Sequence, residues 1–304
     1  PSPPSPPPVA SSQFVEEVRR AIWPDPKLEP WIEKFNQDVF PCQSREWDPI
    51  EPAKKPFTLC FRLQELTELH GGARVVLRLC GHLLRRGHEV ALSVQNTPLK
   101  TEDLDGIPLA VTHELWDADF VVGTFWTTVN EVAAAPLAGK RVALLQSDEP
   151  SWLQIEDPSH STCERALKQP KVSYIAISKQ VAESCLRRYG TACVGVLPGN
   201  GVDTLDFSPR LNHHDRRNGV CAIYRGAWFK NDTFAISLMG ELKRRVPGLK
   251  TEMAGFKRFV NPTLDRYLHE PCLDDMAMMY SSADFYLSGS RIEGSPLPPL
   301  ESMA

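Results

Sequence analysis

Short apolar runs of strand length alternate with stretches whose apolar residues recur every three or four positions, from residue 57 onward. FTLCFRL (57–63) is rich in aromatic and aliphatic residues, as a strand buried on both faces is. After the loop ELTELHGG, ARVVLRLCGHLLRRG (73–87) has the apolar spacing of a helix, and Gly87 stands just past its end, where glycine is favoured. HEVALSV (88–94) is the next expected strand. Strand, glycine turn, helix, strand is a βαβ unit, which goes with a parallel sheet. The alternation continues through DFVVGTF (119–125), RVALLQS (141–147), VSYIAIS (172–178), the helix KQVAESCLRRYG (179–190) and CVGVLPG (193–199). A second run holds GVCAIYR (219–225), a helix over 231–245, LKTEMAG (249–255), the helix LDDMAMMYSSA (273–283) and DFYLSGS (284–290). LPPLESMA starts another helix with Pro298 and Pro299 in its first turn, where missing amide hydrogens cost little.

This pattern predicts an α/β protein with two Rossmann-like parallel-sheet domains, 57–208 and 209–304, separated near the polar stretch PRLNHHDRRNG. The second domain is expected to be incomplete, short of its final strands and helices. Residues 1–12 are nearly all Pro and Ser, a composition suited to an extended solvated tail or a docking peptide. Residues 13–56 carry the amphipathic pieces FVEEVRRAIW and PWIEKFNQDVF between prolines, so one or two short helices are expected there.

Composition narrows the class. A formal net charge of -4 supplies no basic field for nucleic acid. No apolar run approaches the roughly 20 residues that span a bilayer, and the N-terminal stretch lacks the basic and apolar regions of a signal peptide. The eight cysteines are scattered without a CxxC pair. In a chain of this size they are expected to be reduced, mostly buried thiols in a cytoplasmic protein, not zinc ligands.

Three places could carry chemistry. Gly71 and Gly72, between the first strand and its helix, let backbone amides at a helix N-terminus approach an anion, although glycines at such turns also serve purely steric ends. The GxGxxG fingerprint of dinucleotide enzymes is absent there. Arg225 and Lys230 follow the first strand of the second domain, and a planar fork with a compact ammonium suits a diphosphate; solvated surface charge is the alternative. Glu293 and Glu301 are separated by seven residues across a strand-to-helix turn containing Gly294 and Ser295. Carboxylates and open amides at such a place can hold sugar hydroxyls, though glutamates beside a Pro-rich turn also occur as plain surface residues. Asp117–Ala118–Asp119 has the form of a D-x-D metal motif but leads directly into a strand, so a structural role is expected. His160, His213 and His214 are expected on the surface.

Together HGGARVVLRLCGHLLRRGHEVAL, AISKQVAESCLRRYG with VLPGNGVDTLDFSP, the Arg225-x4-Lys230 pair and IEGSPLPPLESMA resemble the family-4 retaining glycosyltransferases of the GT-B fold, over roughly residues 57 to 304. The resemblance implies two domains facing a cleft, the first for the acceptor and the second for the donor. It implies that Arg225 and Lys230 bind the donor diphosphate, Glu293 the donor sugar and Glu301 the ribose. Amides from Gly294 and Ser295 to Leu297 would contact the sugar, and those of Gly71 and Gly72 the phosphates. The substrates implied are a nucleotide-diphosphate sugar and a glycan or lipid-linked acceptor. Neither cofactor nor metal is implied, and peripheral association with a membrane's inner face is left open. Where many relatives carry a histidine near the reacting centre, this chain reads GTFWTTVN and LQSDEPSW, with Trp126, Thr127, Asp148 and Glu149. Either carboxylate would contact the acceptor or cap a helix. GTFWTT and SDEP resemble a subgroup associated with bacterial surface polysaccharides, including rhamnosyl-transfer enzymes. A catalytically inactive binding or assembly subunit of the same fold is the alternative.

Overall fold

The computed structural model describes residues 53, 55–66, 71–96, 109–210 and 217–304. The Pro/Ser tail, nearly all of the 13–56 extension, His213 and His214 therefore lie outside the described residues. The described chain divides into two compact units, Glu46–Asn200 with Ile292–Pro296, and Gly201–Arg291 with Leu297–Ala304.

The first unit holds β1 (Thr58–Leu63), α1 (Gly71–Arg85), β2 (Glu89–Val94), β3 (Ala110–Thr112), β4 (Phe120–Gly123), α2 (Trp126–Ala134), β5 (Lys140–Leu145), α3 (His160–Ala166), β6 (Val172–Ala176), α4 (Lys179–Tyr189) and β7 (Cys193–Val196). The seven strands form one parallel sheet in the order β3-β2-β1-β4-β5-β6-β7. On α1 the residues Ala73, Val76, Leu77 and Cys80 share one face and pack with Phe61, Leu63, Leu92 and Val94, as the helical spacing requires. α4 is capped by Ser178, whose side chain accepts from the Val181 amide, and ends at Gly190 in the left-handed region (φ 73), which a side chain would strain.

The second unit holds β8 (Gly219–Tyr224), α5 (Asp232–Arg245), β9 (Lys250–Gly255), β10 (Arg266–His269), α6 (Leu273–Ser282), β11 (Phe285–Tyr286) and α7 (Leu297–Met303), with its parallel sheet ordered β10-β9-β8-β11. Alternation along β8 sends Val220 and Ala222 to a core with Met239 and Leu242, and Cys221 to an opposite core with Phe207, Ala277 and Met279. Phe207 is thus buried in the second unit. The division falls after Asn200, eight residues before the boundary expected from the polar stretch, because apolar Val202 and Phe207 pack forward and not back.

The expected strands and helices are present to within a few residues at their ends. β3, α2, α3 and β10 were not expected. β10 reads RYLH with exposed ends, too short and mixed to show a period. DFYLSGS yields only the two residues of β11; beyond it Gly289 lies close against the backbone of Asn231, where a Cβ would meet the Asn231 carbonyl at 2.9 Å. Among the described cysteines, Cys60, Cys80, Cys163, Cys185 and Cys221 are buried and unbridged, and burial raises their thiol pKa. Cys193 is half-buried and Cys272 exposed. Among the described residues no helix is long and apolar enough to cross a membrane.

Candidate functional site

In both sheets the strand order reverses beside the first strand, between β1 and β4 and between β8 and β11. Ligands of open α/β sheets bind outside the carboxyl ends of strands at such a switch point. Gly71 and Gly72 follow β1, Arg225 and Lys230 follow β8, and Glu293, Gly294 and Ser295 follow β11.

The loop after β8 is fixed from below. Asp232, in the first turn of α5 and 7% exposed, accepts from the amides of Arg225 (3.1 Å) and Gly226 (2.6 Å). Gly226 has φ 66, a conformation that favours glycine. The Arg225 guanidinium stacks on Phe256 at 5.4 Å from the ring centroid, a cation–π contact that orients it. Lys230 ends a 3-10 turn, Trp228–Lys230. The next loop of this unit packs directly on that turn: the Arg291 amide donates to the Phe229 carbonyl at 2.8 Å. Leu297 opens α7, and Glu301 lies within it, 5% exposed, accepting from the Tyr280 hydroxyl at 3.3 Å. Tyr280 also packs edge-on against Tyr286 of β11. Its bond pins one face of the Glu301 carboxylate, a contact with no linear sequence signal.

In the first unit, Gly72 lies against the Gln146 side chain, whose Oε1 a Cβ would meet at 3.2 Å. Gln146 in turn donates weakly to the Thr124 carbonyl at 3.4 Å. At Gly294 a Cβ would overlap the Gln146 carbonyl oxygen, so only glycine fits there. The Gly294 carbonyl accepts from Ser178 Oγ at 2.7 Å. Asn200 grips the next residue twice, its amide donating to Ser295 Oγ and its Nδ2 to the Ser295 carbonyl, both at 2.7 Å. Of the expected site residues, Gly71, Gly72, Glu293, Gly294 and Ser295 thus belong to the first unit, and Arg225, Lys230, Leu297 and Glu301 to the second. Gln146, Ser178, Asn200 and Asp232 escaped sequence reasoning, because their partners are distant in the chain or backbone atoms.

The two carboxylates of LQSDEPSW are committed internally. Glu149 Oε2 accepts from the Trp126 amide at the start of α2 (2.8 Å), the helix-capping alternative. Burial pushes the Glu149 carboxyl up to about 8, against the opposing effect of that bond. Asp148 accepts from Ser184 Oγ (2.6 Å), Arg188 (3.1 Å) and the Tyr189 hydroxyl (2.9 Å), all on α4. The D-x-D carboxylates serve the backbone too. Asp119 accepts from the amide and hydroxyl of Thr58, and Asp117 from the amides of Ala138 and Gly139. These bonds hold both carboxyls below the usual range. At the end of β1, buried Arg62 pairs with Glu131 of α2 at 2.6 Å and donates to Ser93 and the His113 carbonyl, tying strand ends to helix.

No protein-family model matches the chain, and no curated protein matches its sequence. Solved structures do. Alr3699/HepE of Anabaena in complex with UDP and glucose superposes with a TM-score of 0.61 at 14% identity, over 81% of this chain and 78% of that one. The catalytic domain of starch synthase IV from Arabidopsis thaliana, bound to ADP and acarbose, gives 0.57 at 13%, over 82% and 81%. The chain has the GT-B fold. WaaG, a glycosyltransferase involved in lipopolysaccharide biosynthesis, shares this GT-B architecture with a TM-score of 0.58 at 13% identity, over 81% and 78%. At such identities the likeness is one of fold. Within the GT-B frame, the expected site residues other than Glu301 lie in loops following strands or at the start of the next helix, and Glu301 lies inside α7.

Proposed function

We propose that this chain is a retaining glycosyltransferase of the family-4 type, moving a sugar from a nucleotide-diphosphate donor to a hydroxyl of a glycan or lipid-linked acceptor. The observation that carries this reading is the loop after β8. There a stacked guanidinium and a lysine, at a switch point, rest on a backbone whose amides are already bound by Asp232. Positive side chains on such a loop suit a diphosphate. HepE and starch synthase IV, which share the fold, were solved with UDP and ADP. As the bond from the anomeric carbon to the phosphate oxygen breaks, its electron pair stays on that oxygen, and Arg225 and Lys230 face the charge that develops. Glu301, pinned by Tyr280, holds the ribose hydroxyls. Glu293 and the amides of Gly294, Ser295 and Leu297 hold the sugar, and Gly71 and Gly72 the phosphates. In this reading the cation pair does the work of a metal. A role in surface-polysaccharide synthesis fits the GTFWTT and SDEP segments.

Lys230→Ala and Glu293→Ala are expected to lower sugar transfer by roughly 10²–10³-fold, the scale of lost transition-state contacts, with unchanged melting temperatures. Full activity in both variants overturns the assignment. A second reading, a donor-binding subunit without turnover, draws on Asp148 and Glu149, whose bonds to α4 and α2 occupy the carboxylates of the histidine-free segments. Release of nucleoside diphosphate from any nucleotide sugar in the presence of the purified chain eliminates it.

A further inference from the structure

We propose, building on the reading above, that Lys257 is a third cationic contact to the donor diphosphate, supplied by the strand next door. β8 and β9 pair in parallel with Tyr224 opposite Gly255. The next residues out of the sheet are therefore side by side, Arg225 by Phe256 and Gly226 by Lys257. The contacts agree: Arg225 stacks on Phe256, and a Cβ at Gly226 would stand 3.2 Å from Lys257 Nζ and 3.1 Å from its Cδ. The lysine lies across the open face of a glycine in the same loop that carries Arg225 and Lys230. Its own backbone is anchored, since the Tyr267 hydroxyl donates to the Lys257 carbonyl at 2.6 Å, and Phe259 stacks on Tyr224 with centroids 4.2 Å apart.

The occupied backbone gives the lysine a purpose. Asp232 occupies the Arg225 and Gly226 amides, so those amides do not serve a phosphate. A nucleotide-diphosphate sugar carries one negative charge on each phosphate, and an ammonium over the same loop supplies a contact that those amides do not. Lys257 is exposed, and among the described residues it forms no salt bridge, which leaves its ammonium available to a ligand.

Calorimetric titration with UDP, and separately with GDP and ADP, tests this on the whole chain as wild type, Lys257→Met, Lys257→Arg and Lys230→Met. For whichever nucleotide binds, Lys257→Met is expected to bind roughly tenfold more weakly, the size of one charge-assisted contact, with a shallower dependence on salt. Lys257→Arg should restore most of the loss. As a surface substitution, Lys257→Met should leave the melting temperature unchanged. Wild-type affinity and salt dependence in Lys257→Met, alongside weakened binding by Lys230→Met, overturn the role of Lys257 alone. A wild-type chain that binds none of the three nucleotides overturns the reading of the site, and this inference with it.

Discussion

Asp148 and Glu149 are adjacent in the chain but serve different helices, one bound to α4 and the other to the first amide of α2. Their pairing with backbone and side chains from elsewhere is invisible in the string SDEP. Sequence could offer only the alternatives of acceptor contact and helix cap. Burial raises the Glu149 carboxyl from 4.5 to about 8, so between those values the folded chain holds a proton that the unfolded chain has lost. Stability therefore falls as pH rises through that window, by at most about 1.4 kcal/mol per pH unit, and levels off above it. Glu149→Gln keeps an acceptor for the Trp126 amide without the ionisation. Its stability should be flatter with pH, and higher than wild type at the alkaline end. Urea unfolding at about pH 6 and about pH 8.5 checks this, and parallel profiles for the two proteins refute it.

α5 begins with an acidic residue, which the positive end of a helix favours, yet the carboxylate of Asp232 is turned outward onto the preceding loop. The helix thus shapes the loop that precedes it. Asp232→Ala strands two amides in a half-buried place, a loss of about 1–3 kcal/mol. It is also expected to weaken nucleoside diphosphate binding, because Gly226 no longer has a partner fixing its left-handed conformation. Asp232→Asn keeps an acceptor and should recover much of the affinity. Equal binding by Asp232→Ala and wild type refutes the positioning role. At this scale the sequence was most informative. Apolar runs and helical spacing marked β1, α1, β2, β4 to β9 and α4 to α7. What it missed was short or ambiguous, such as α2, whose WTTVNEVAA mixes β-branched residues of weak helical preference.

Each unit closes its own cores, those of the first sheet around Val76, Leu92 and Leu145, and those of the second around Met239, Met253 and Met279. Separate cores predict that heating unfolds the chain in more than one step. Scanning calorimetry should resolve two transitions, and nucleoside diphosphate should raise at least the one that belongs to the second unit, which carries Arg225, Lys230 and Glu301, since a ligand stabilises the state it binds. A single two-state transition, unmoved by nucleotide, contradicts both expectations. The fold was legible because alternating periods of two kinds dictate a parallel sheet. Of the candidate site, the sequence pattern anticipated the place in the fold: Arg225, Lys230 and Glu293 sit in loops after strands, as expected. Gln146 and Tyr280 remained hidden because three-dimensional proximity alone brings them to Gly294 and Glu301, and Asp232 because it binds backbone amides.

Cys272 sits at the head of α6, its Sγ accepting from the Asp275 amide, while most other described thiols are buried and their burial disfavours the thiolate. Among the described residues it is therefore the natural attachment point for a maleimide dye. Such a dye would sit on the helix that also carries Tyr280, the partner of Glu301. On the proposal that Glu301 holds the ribose, a fluorophore there is expected to report nucleotide arrival as a change in brightness, without altering any residue of the proposed site.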